Sequence, residues 1–257
     1  MPRGLISGRN YSECDIFNQA LYPRMREEPL LDNDDCIVVP VRNNEHPHFR
    51  RIGNASFDKI LGKAENNPTH DDCVTYLHNQ LMSHGSKKIK FCTYVFENGK
   101  KEEQVVFSPL NDSNYTWYKE ADARIAFHDK FYIQPDIGGR DVNKFFPRSS
   151  YPNVIIEVVR THSPDKDTFQ KLLEVSKTNY HVYFYFIGEG KRASVLNNTS
   201  VSENEIKIRL SHYLIGGEIY KNGKPYPAQK DNESFEKWYD YLKNSYFTNA
   251  MEKVQKV

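Results

Sequence analysis

The most constraining feature of this sequence is a nearly unbroken apolar run that contains a single acid. Residues Asn153 to Thr161 read NVIIEVVRT, with Glu157 inside the run. A short apolar run of this kind fits a central strand that is covered on both faces. An ionised carboxylate in such a place is costly unless it is paired or bound to a metal ion. The run therefore predicts a buried strand and marks Glu157 as a functional candidate.

The segments around this run predict an alternation of strands and helices. Tyr115 to Phe127 and Phe131 to Ile137 predict a strand pair before the run. Lys166 to Thr178 predicts a helix after it, and His181 to Ile187 (HVYFYFI) predicts a second buried strand. Antiparallel strands, a central strand, a helix and another strand, in that order, favour an α/β fold with a right-handed crossover near its end.

A helix is signalled upstream of these strands. Asn67 can cap it, Pro68 suits its first turn, and two aspartates follow at the positive end of the helix dipole. Gly85 is suited to end it. The residues that share one face of this helix are His70, Val74, Leu77 and Leu81.

Shorter signals complete the pattern. The turn Asn98-Gly99 predicts a hairpin between strands at Lys90 to Glu97 and Gln104 to Ser108. A second hairpin is predicted around residues 221–224, and Cys36 to Val41 (CIVVPV) predicts an isolated strand. We interpret one apolar stripe of the C-terminal helix as packing surface. Its members are Phe235, Trp238, Tyr239 and Leu242.

We divide the chain into three segments. Residues 1–65 are an N-terminal elaboration that we expect to pack on the core, residues 66–187 form the core, and residues 188–257 form a C-terminal hairpin and helix segment. The predicted fold class is therefore α/β, with a mixed sheet flanked by helices and elaborated at both ends.

Composition narrows the functional classes. The 257 residues include 35 basic and 34 acidic ones, a net charge of +1, which argues mildly against a high-affinity nonspecific DNA binder. The four cysteines lack metal-ligand spacing, so we expect free thiols in a reducing compartment. The sequence shows neither a secretory signal nor an apolar run that could span a bilayer, so we expect a cytoplasmic protein without a membrane partner.

Among the residues of this sequence, Asp136 and Glu157 are the strongest candidates for a reaction centre. Asp136 ends a predicted strand just before Gly138 and Gly139, where a backbone can turn sharply. On neighbouring strands the two acids can converge on one divalent cation, and carboxylate oxygens suit Mg²⁺ or Mn²⁺. Such an ion can activate water at a phosphodiester. The alternatives are a turn-forming Asp136 and a Glu157 that emerges into solvent at a strand end.

Five short motifs mark the predicted core. They are Pro68-Thr69-His70, Gln134-Pro135-Asp136-Ile137, Ile156-Glu157-Val158, Thr161-His162 and Lys171-Leu172. Their order and spacing resemble the PD-(D/E)XK nuclease superfamily and, more narrowly, the nuclease domains related to the competence protein CoiA. The resemblance covers about residues 66–187. It implies a nuclease-like core, a Mg²⁺ or Mn²⁺ cofactor and a nucleic acid, DNA first, as partner.

The resemblance also implies residue roles. Asp136, Glu157 and the carbonyl of Val158 would hold the metal ion. Glu120 or His70 would complete the catalytic set, since an acid often precedes the Pro-Asp strand in such domains and a histidine follows the helix proline. The alternative for His70 is an imidazole that merely packs in the first helical turn.

One position departs from the superfamily pattern. The superfamily has a lysine two residues after the strand acid, and that position is Val159. Residues i and i+2 of a strand share a face, so an apolar side chain stands where the ammonium is expected. Some members supply this lysine from the next helix, which makes Lys171 the first candidate and Lys166 the second. A solvated helix charge is the alternative for Lys171.

Three basic residues lie between the two acidic motifs: Arg140, Lys144 and Arg148. A loop at this place can contact a phosphate backbone. Basic loop residues are more often only solvated, so the sequence leaves both interpretations open.

We therefore expect a metal-dependent nucleic-acid endonuclease that favours DNA. The first alternative is a catalytically inactive nuclease fold used for DNA binding or protein assembly, for which Val159 is the main sign. A third hypothesis is an interaction factor whose residues 1–65 and 188–257 form the interface. Metal-dependent cleavage separates the first hypothesis from the others. The sequence leaves the oligomeric state open, a homo-oligomer included.

Overall fold

The computed structural model describes residues 1–4, 6–33, 37–51, 59–60, 68–129 and 131–255. Expectations that rest on Cys36 and Asn67 lie outside these residues. The chain divides into two compact units, residues 1–60 with 126–132 and residues 61–125 with 133–257. Every candidate site residue belongs to the larger unit.

The elements are numbered in chain order. The strands are β1 (Arg3–Gly4), β2 (Leu30–Leu31), β3 (Ile37–Val41), β4 (His48–Arg51), β5 (Lys59–Ile60), β6 (Lys88–Glu97), β7 (Lys100–Phe107), β8 (Tyr115–Lys119), β9 (Ile125–Ala126), β10 (Phe131–Ile133), β11 (Ile137–Asp141), β12 (Asn153–Val159), β13 (Tyr180–Phe186), β14 (Asn198–Val201), β15 (Glu205–Arg209), β16 (His212–Ile215), β17 (Glu218–Lys221) and β18 (Lys224–Pro225). The α-helices are α1 (Leu21–Glu27), α2 (Pro68–Met82), α3 (Lys166–Ser176), α4 (Phe235–Leu242) and α5 (Asn249–Gln255). Turns of 3-10 helix span Glu13–Phe17 and Glu120–Ala123, and a π-helical segment spans Lys243–Thr248.

The smaller unit contains a four-stranded antiparallel sheet in the order β1-β2-β3-β4. Strand β3 matches the predicted strand, apart from Cys36. β5 pairs in parallel with β10 in a second small sheet. The buried apolar residues of this unit cluster between α1 and the larger of these sheets and are Tyr11, Ile16, Leu21, Met25, Leu30 and Val38.

The larger unit is built on a seven-stranded mixed sheet in the order β18-β17-β16-β13-β12-β11-β8. β12 pairs antiparallel with β11 and parallel with β13, and α3 connects the parallel pair. A second sheet, β14-β15-β6-β7, is also mixed. The prediction of an α/β fold with a mixed sheet is confirmed. Along the chain, α2, β8, β11, β12, α3 and β13 follow one another in the expected order of types.

One face of β12 packs against α2. The helix turns its predicted apolar stripe toward the sheet, where Leu77 and Leu81 are fully buried. His70 extends this stripe into the first helical turn and is itself buried. The buried residues that α2 and β12 contribute to the common cluster are Cys73, Val74, Leu77, Leu81, Val154, Ile156 and Val158.

The other face of β12 carries Glu157. Parallel pairing sets Glu157 beside Phe184 of β13. Phe169 of α3 stacks on Phe184, with ring centroids 6.5 Å apart, and both rings are fully buried. Because α3 covers the sheet next to the acid, Glu157 has largely apolar surroundings, as the sequence of the run predicts.

Two strands are shorter than the sequence predicts. The strand expected over Tyr115 to Phe127 ends at Lys119, where a 3-10 turn begins with Glu120 at a φ of 50°. This left-handed conformation turns the chain out of the ladder. The strand expected to reach Ile137 stops at Ile133, and β11 begins only at Ile137. Alternating apolar residues continue through both breaks, which is why periodicity alone missed them.

Gly138 and Gly139 lie inside β11 and not in a sharp turn, so that expectation is wrong. They pair with Tyr118 and Trp117 of β8. A Cβ atom on Gly139 would overlap the buried indole ring of Trp117. Close approach of this ring requires glycine at position 139, as is common where a glycine interrupts a strand.

Residues 188–257 contribute to both sheets of the larger unit. β14 and β15 join the second sheet, and β16, β17 and β18 extend the main one. The predicted hairpin turn connects β17 and β18, with Asn222 and Gly223 at φ of 51° and 74°. Trp238, Tyr239 and Leu242 of the predicted stripe are buried. No α-helix among the described residues has both the length and the apolar character that a bilayer crossing requires.

Candidate functional site

The strand register brings Asp136 opposite Glu157. β11 and β12 pair Ile137 with Ile156, so the next residue pair outward is Asp136 and Glu157. Asp136 lies in the bend just before β11, and its carbonyl oxygen accepts a hydrogen bond from the Glu120 N–H at 3.2 Å. Two acids that are 21 positions apart in sequence thus meet at one end of the sheet.

Asp136 is held by two further contacts. Its Oδ2 atom lies 3.2 Å from Nε2 of His70 and accepts a hydrogen bond from the backbone N–H of Val158 at 2.7 Å. Nδ1 of His70 lies 3.2 Å from Oδ1 of Asp71, so both ring nitrogens face carboxylate oxygens. This suits a protonated ring that donates from both nitrogens. His70 therefore contacts Asp136 through its ring, and its role in a functional site stays a prediction.

The Glu157 carboxyl group is electrostatically linked to this arrangement. Burial, followed by the negative charge of Asp136, raises the pKa of Glu157 well above its usual value, while His70 and the backbone N–H of Asp136 act in the opposite direction. Glu157 is only partly exposed. Glu157, Asp136 and His70 therefore converge. Within the described residues, no group of three or more His, Cys, Asp or Glu side chains is placed so that it could hold a metal ion.

The carbonyl of Val158 points toward the same place. The carbonyl of Val159 accepts a hydrogen bond from the N–H of Ile187, on the β13 side of β12. Successive carbonyls of a strand point to opposite sides, so the Val158 carbonyl points toward β11. The continued register places Pro135 opposite it, and proline has no N–H to donate. This geometry is compatible with the expected role of Val158.

Lys171 lies on α3, which covers the Glu157 face of the sheet. Its ammonium forms an ion pair with Glu174 at 3.1 Å, and its side chain is 14 % exposed. Lys166, the second candidate, is more exposed and pairs with Glu236 at 3.2 Å. Val159, at the superfamily lysine position, is buried. The position of the site lysine stays a prediction.

Glu120 reaches the site through its backbone. Its N–H contacts the Asp136 carbonyl, but its side chain is exposed on the 3-10 turn. The strand predicted over Tyr115 to Phe127 has already ended here, so Glu120 lies on a turn and not on a strand face.

The predicted phosphate contacts lie away from the two acids. The loop of residues 142–152 joins the end of β11 to the start of β12. Asp136 and Glu157 both lie at the other end of this strand pair, near the start of β11 and the end of β12. Lys144 and Arg148 belong to this loop. Arg140 lies on β11 between loop and site, exposed, with its guanidinium 5.4 Å from the centroid of the Tyr118 ring.

The loop after β13 is a neighbour of the site that sequence reasoning missed. The Cys73 thiol, one helical turn after His70, donates to the carbonyl of Arg192 at 3.6 Å. Burial, and after it the charge of Asp136, raises the pKa of Cys73 to about 12, while Arg192 acts in the opposite direction. The guanidinium of Arg192 lies 4.9 Å from the ring centroid of Tyr76. Only the adjacent Lys-Arg pair in the sequence could have drawn attention to this loop.

No protein-family model, curated protein or solved structure matches this chain.

Proposed function

We propose that this chain is a metal-dependent endonuclease that hydrolyses phosphodiester bonds in nucleic acid, with DNA favoured over RNA. The observation that carries the proposal is the convergence of Glu157, Asp136 and His70 at one end of β11 and β12. A carboxyl group kept next to a second one, in apolar surroundings, is unfavourable for folding, and such perturbed acids are concentrated at functional sites.

The chemistry of this group fits a divalent cation. Asp136 raises the pKa of Glu157, so in the metal-free protein a proton on Glu157 relieves the repulsion between the two acids. A doubly charged cation relieves the same repulsion. The carboxylates of Asp136 and Glu157 and the Val158 carbonyl are hard oxygen donors of the type that Mg²⁺ and Mn²⁺ prefer. When bound, such an ion polarises the phosphodiester and lowers the pKa of water.

The residues of the chain itself supply positioning. His70 and the N–H of Val158 fix the Asp136 carboxylate, which limits its rotation. Phe184 lies beside Glu157 in the sheet with Phe169 stacked on it, and apolar surroundings of this kind strengthen charge interactions. We assign Lys171 to the orientation of the attacking water.

Two further observations support a nuclease-like core. The sequence α2, β8, β11, β12, α3 and β13 follows the order of element types that the motif resemblance implies. The parallel pairing of β12 with β13 through α3 places the helix that carries Lys171 on the Glu157 face. The preference for DNA over RNA rests on the motif resemblance alone.

Val159 favours a second candidate function, a catalytically inactive nuclease fold for DNA binding or protein assembly. Its side chain is buried and apolar where the superfamily has a lysine. If no lysine of α3 serves in its place, the site lacks the ammonium group that would orient the attacking water. This candidate predicts nucleic-acid or protein binding without cleavage.

The test is nicking of supercoiled plasmid with Mg²⁺ or Mn²⁺. Glu157→Gln and Asp136→Asn keep the side-chain shape and remove the charge, and we expect each to lower the rate by about 10²-fold or more. Glu102→Gln, an exposed acid on β7, is the matched control and should cut at the wild-type rate. Wild-type nicking that survives in Glu157→Gln would show that this site does not carry the activity.

Lys171→Ala extends the same assay to the lysine. We expect a reduction of about 10²-fold, typical of a positioned catalytic group. Lys177→Ala, an exposed lysine at the end of α3, is the control. A reduced rate in Lys166→Ala and not in Lys171→Ala would transfer the role to Lys166. If the wild type is inert with both metals on DNA and RNA, the second candidate function replaces the first.

A further inference from the structure

The loop between β11 and β12 exposes two aromatic rings. Phe145 and Phe146 are 92 % and 66 % exposed. Their rings meet edge to face, with centroids 4.6 Å apart. Exposed apolar groups of this size mark interaction surfaces when they are gathered in one place. We call Lys144 to Arg148 the aromatic loop.

The base of this loop is anchored. Asp141 accepts a hydrogen bond from the N–H of Asn143 at 2.9 Å. Arg148 and Tyr151 exchange backbone hydrogen bonds of 3.2 and 2.9 Å, and the Tyr151 hydroxyl donates to Asp112 at 2.7 Å. These contacts fix the backbone on both sides of the two phenylalanines, so the rings are presented to solvent with little further ordering required on binding.

Cations flank the rings. The Lys144 ammonium lies 4.3 Å from the Tyr151 ring centroid and 3.7 Å from Asp112, and Arg148 is exposed. Arg140 is also exposed, four residues before Lys144. Exposed rings interleaved with basic groups are complementary to a strand whose bases stack and whose phosphates are negative.

The position of the loop connects it to the candidate site. Gly138 of β11 pairs with Ile155 of β12, and alternate residues of a strand share a face, so Arg140 lies on the sheet face that carries Glu157. From Asn153 to Glu157 the strand rises by about 13 Å. Along β11, Arg140 therefore lies between the candidate site and the aromatic loop.

We propose that Phe145 and Phe146 stack with bases of a nucleic-acid strand whose phosphates contact Arg140, Lys144 and Arg148. The inference rests on the proposed function, because a nuclease supplies the reason for a strand to lie there. Base stacking tolerates any sequence, since every base has an aromatic face. The loop therefore adds affinity and register without sequence preference.

The test is fluorescence anisotropy with a labelled single-stranded DNA oligonucleotide in EDTA, repeated at several salt concentrations. The double variant Phe145→Ala/Phe146→Ala should weaken binding about tenfold or more and leave the salt dependence unchanged, because it removes stacking and leaves the phosphate-binding cations in place. Lys144→Ala/Arg148→Ala should reduce the slope of log K against log salt by about one for each phosphate that is no longer neutralised. Phe96→Ala, which truncates a ring that is 44 % exposed on β6, is the control and should bind as the wild type does.

Unchanged affinity in the phenylalanine variant overturns the proposal, as does a wild type that binds no oligonucleotide. The proposal is also overturned if the phenylalanine variant keeps its oligonucleotide affinity and instead loses binding to phosphatidylserine vesicles in flotation. Loss of self-association in sedimentation velocity, again with unchanged oligonucleotide affinity, overturns it in the same way. Because binding is measured without metal, the two proposals can fail separately. Weakened binding in the variant together with an inert wild type would keep the stacking surface and remove the endonuclease.

Discussion

At the scale of single residues, the ionised carboxylate of Glu157 lowers the stability of the folded larger unit. The acid is surrounded by apolar groups and faces Asp136, and both features raise its pKa. A core strand would be more stable with an apolar residue at this position. The sequence made this conflict visible, because a lone acid stood inside an apolar run. It could not show that His70 contacts Asp136, since that contact depends on how α2 docks.

Glu157 should make the stability of the folded protein depend on pH. An acid with a raised pKa binds its proton more tightly in the folded state, so stability falls as pH rises above the unfolded value of about 4.5 toward the folded pKa. Glu157→Gln removes this effect. In EDTA we expect the variant to melt at a higher temperature than the wild type at pH 8 and at a similar temperature at pH 4.

The matched control is again Glu102→Gln, whose carboxylate is exposed. Differential scanning calorimetry at the two pH values measures the effect. A Glu157→Gln protein that melts at or below the wild-type temperature at pH 8 would mean that the wild-type carboxylate is well stabilised without a metal ion.

At the scale of elements, local sequence patterns predicted those helices, turns and strands that depend only on residues within the same segment. The α2 stripe, the Asn98-Gly99 turn and the central strand follow from spacing and backbone preference, and all three are observed. The end of β8 at Lys119 did not follow, because the turn at Glu120 is closed by a hydrogen bond to Asp136, sixteen residues later. The second sheet was also missed, since its parallel pair joins β6 to β15 across more than one hundred residues.

The glycine pair in β11 gives the prediction at this scale. Gly139→Ala places a methyl group in the buried Trp117 ring, and we expect a decrease of about 1–3 kcal/mol or more in the free energy of unfolding. Gly138→Ala is the matched control, because its Cβ would lie 3.2 Å from the Cβ of Ala123, a much longer approach than that of a Cβ on Gly139 to the Trp117 ring. Urea unfolding of both variants makes the comparison. Equal decreases would show that backbone freedom, and not the indole, selects glycine at position 139.

At the scale of the whole molecule, the larger unit places its acids and its exposed rings at different ends of two strands. Acids gather at one end of β11 and β12, and cations with exposed rings gather at the other. A net charge of +1 hid this separation, because composition averages over all surfaces. The sequence did place Arg140, Lys144 and Arg148 between the acidic motifs. It could not place them at the far end of the strands, which requires the strand directions.

The central claim is that Asp136 and Glu157 hold one divalent cation. The most direct measurement is an anomalous difference map from a crystal soaked in Mn²⁺, with a Glu157→Gln crystal soaked in the same way as control. We predict one strong peak about 2.0–2.6 Å from an oxygen of each carboxylate in the wild type, and its disappearance in the variant. A map without a peak between Asp136 and Glu157, at a Mn²⁺ concentration that supports nicking in solution, would contradict the claim.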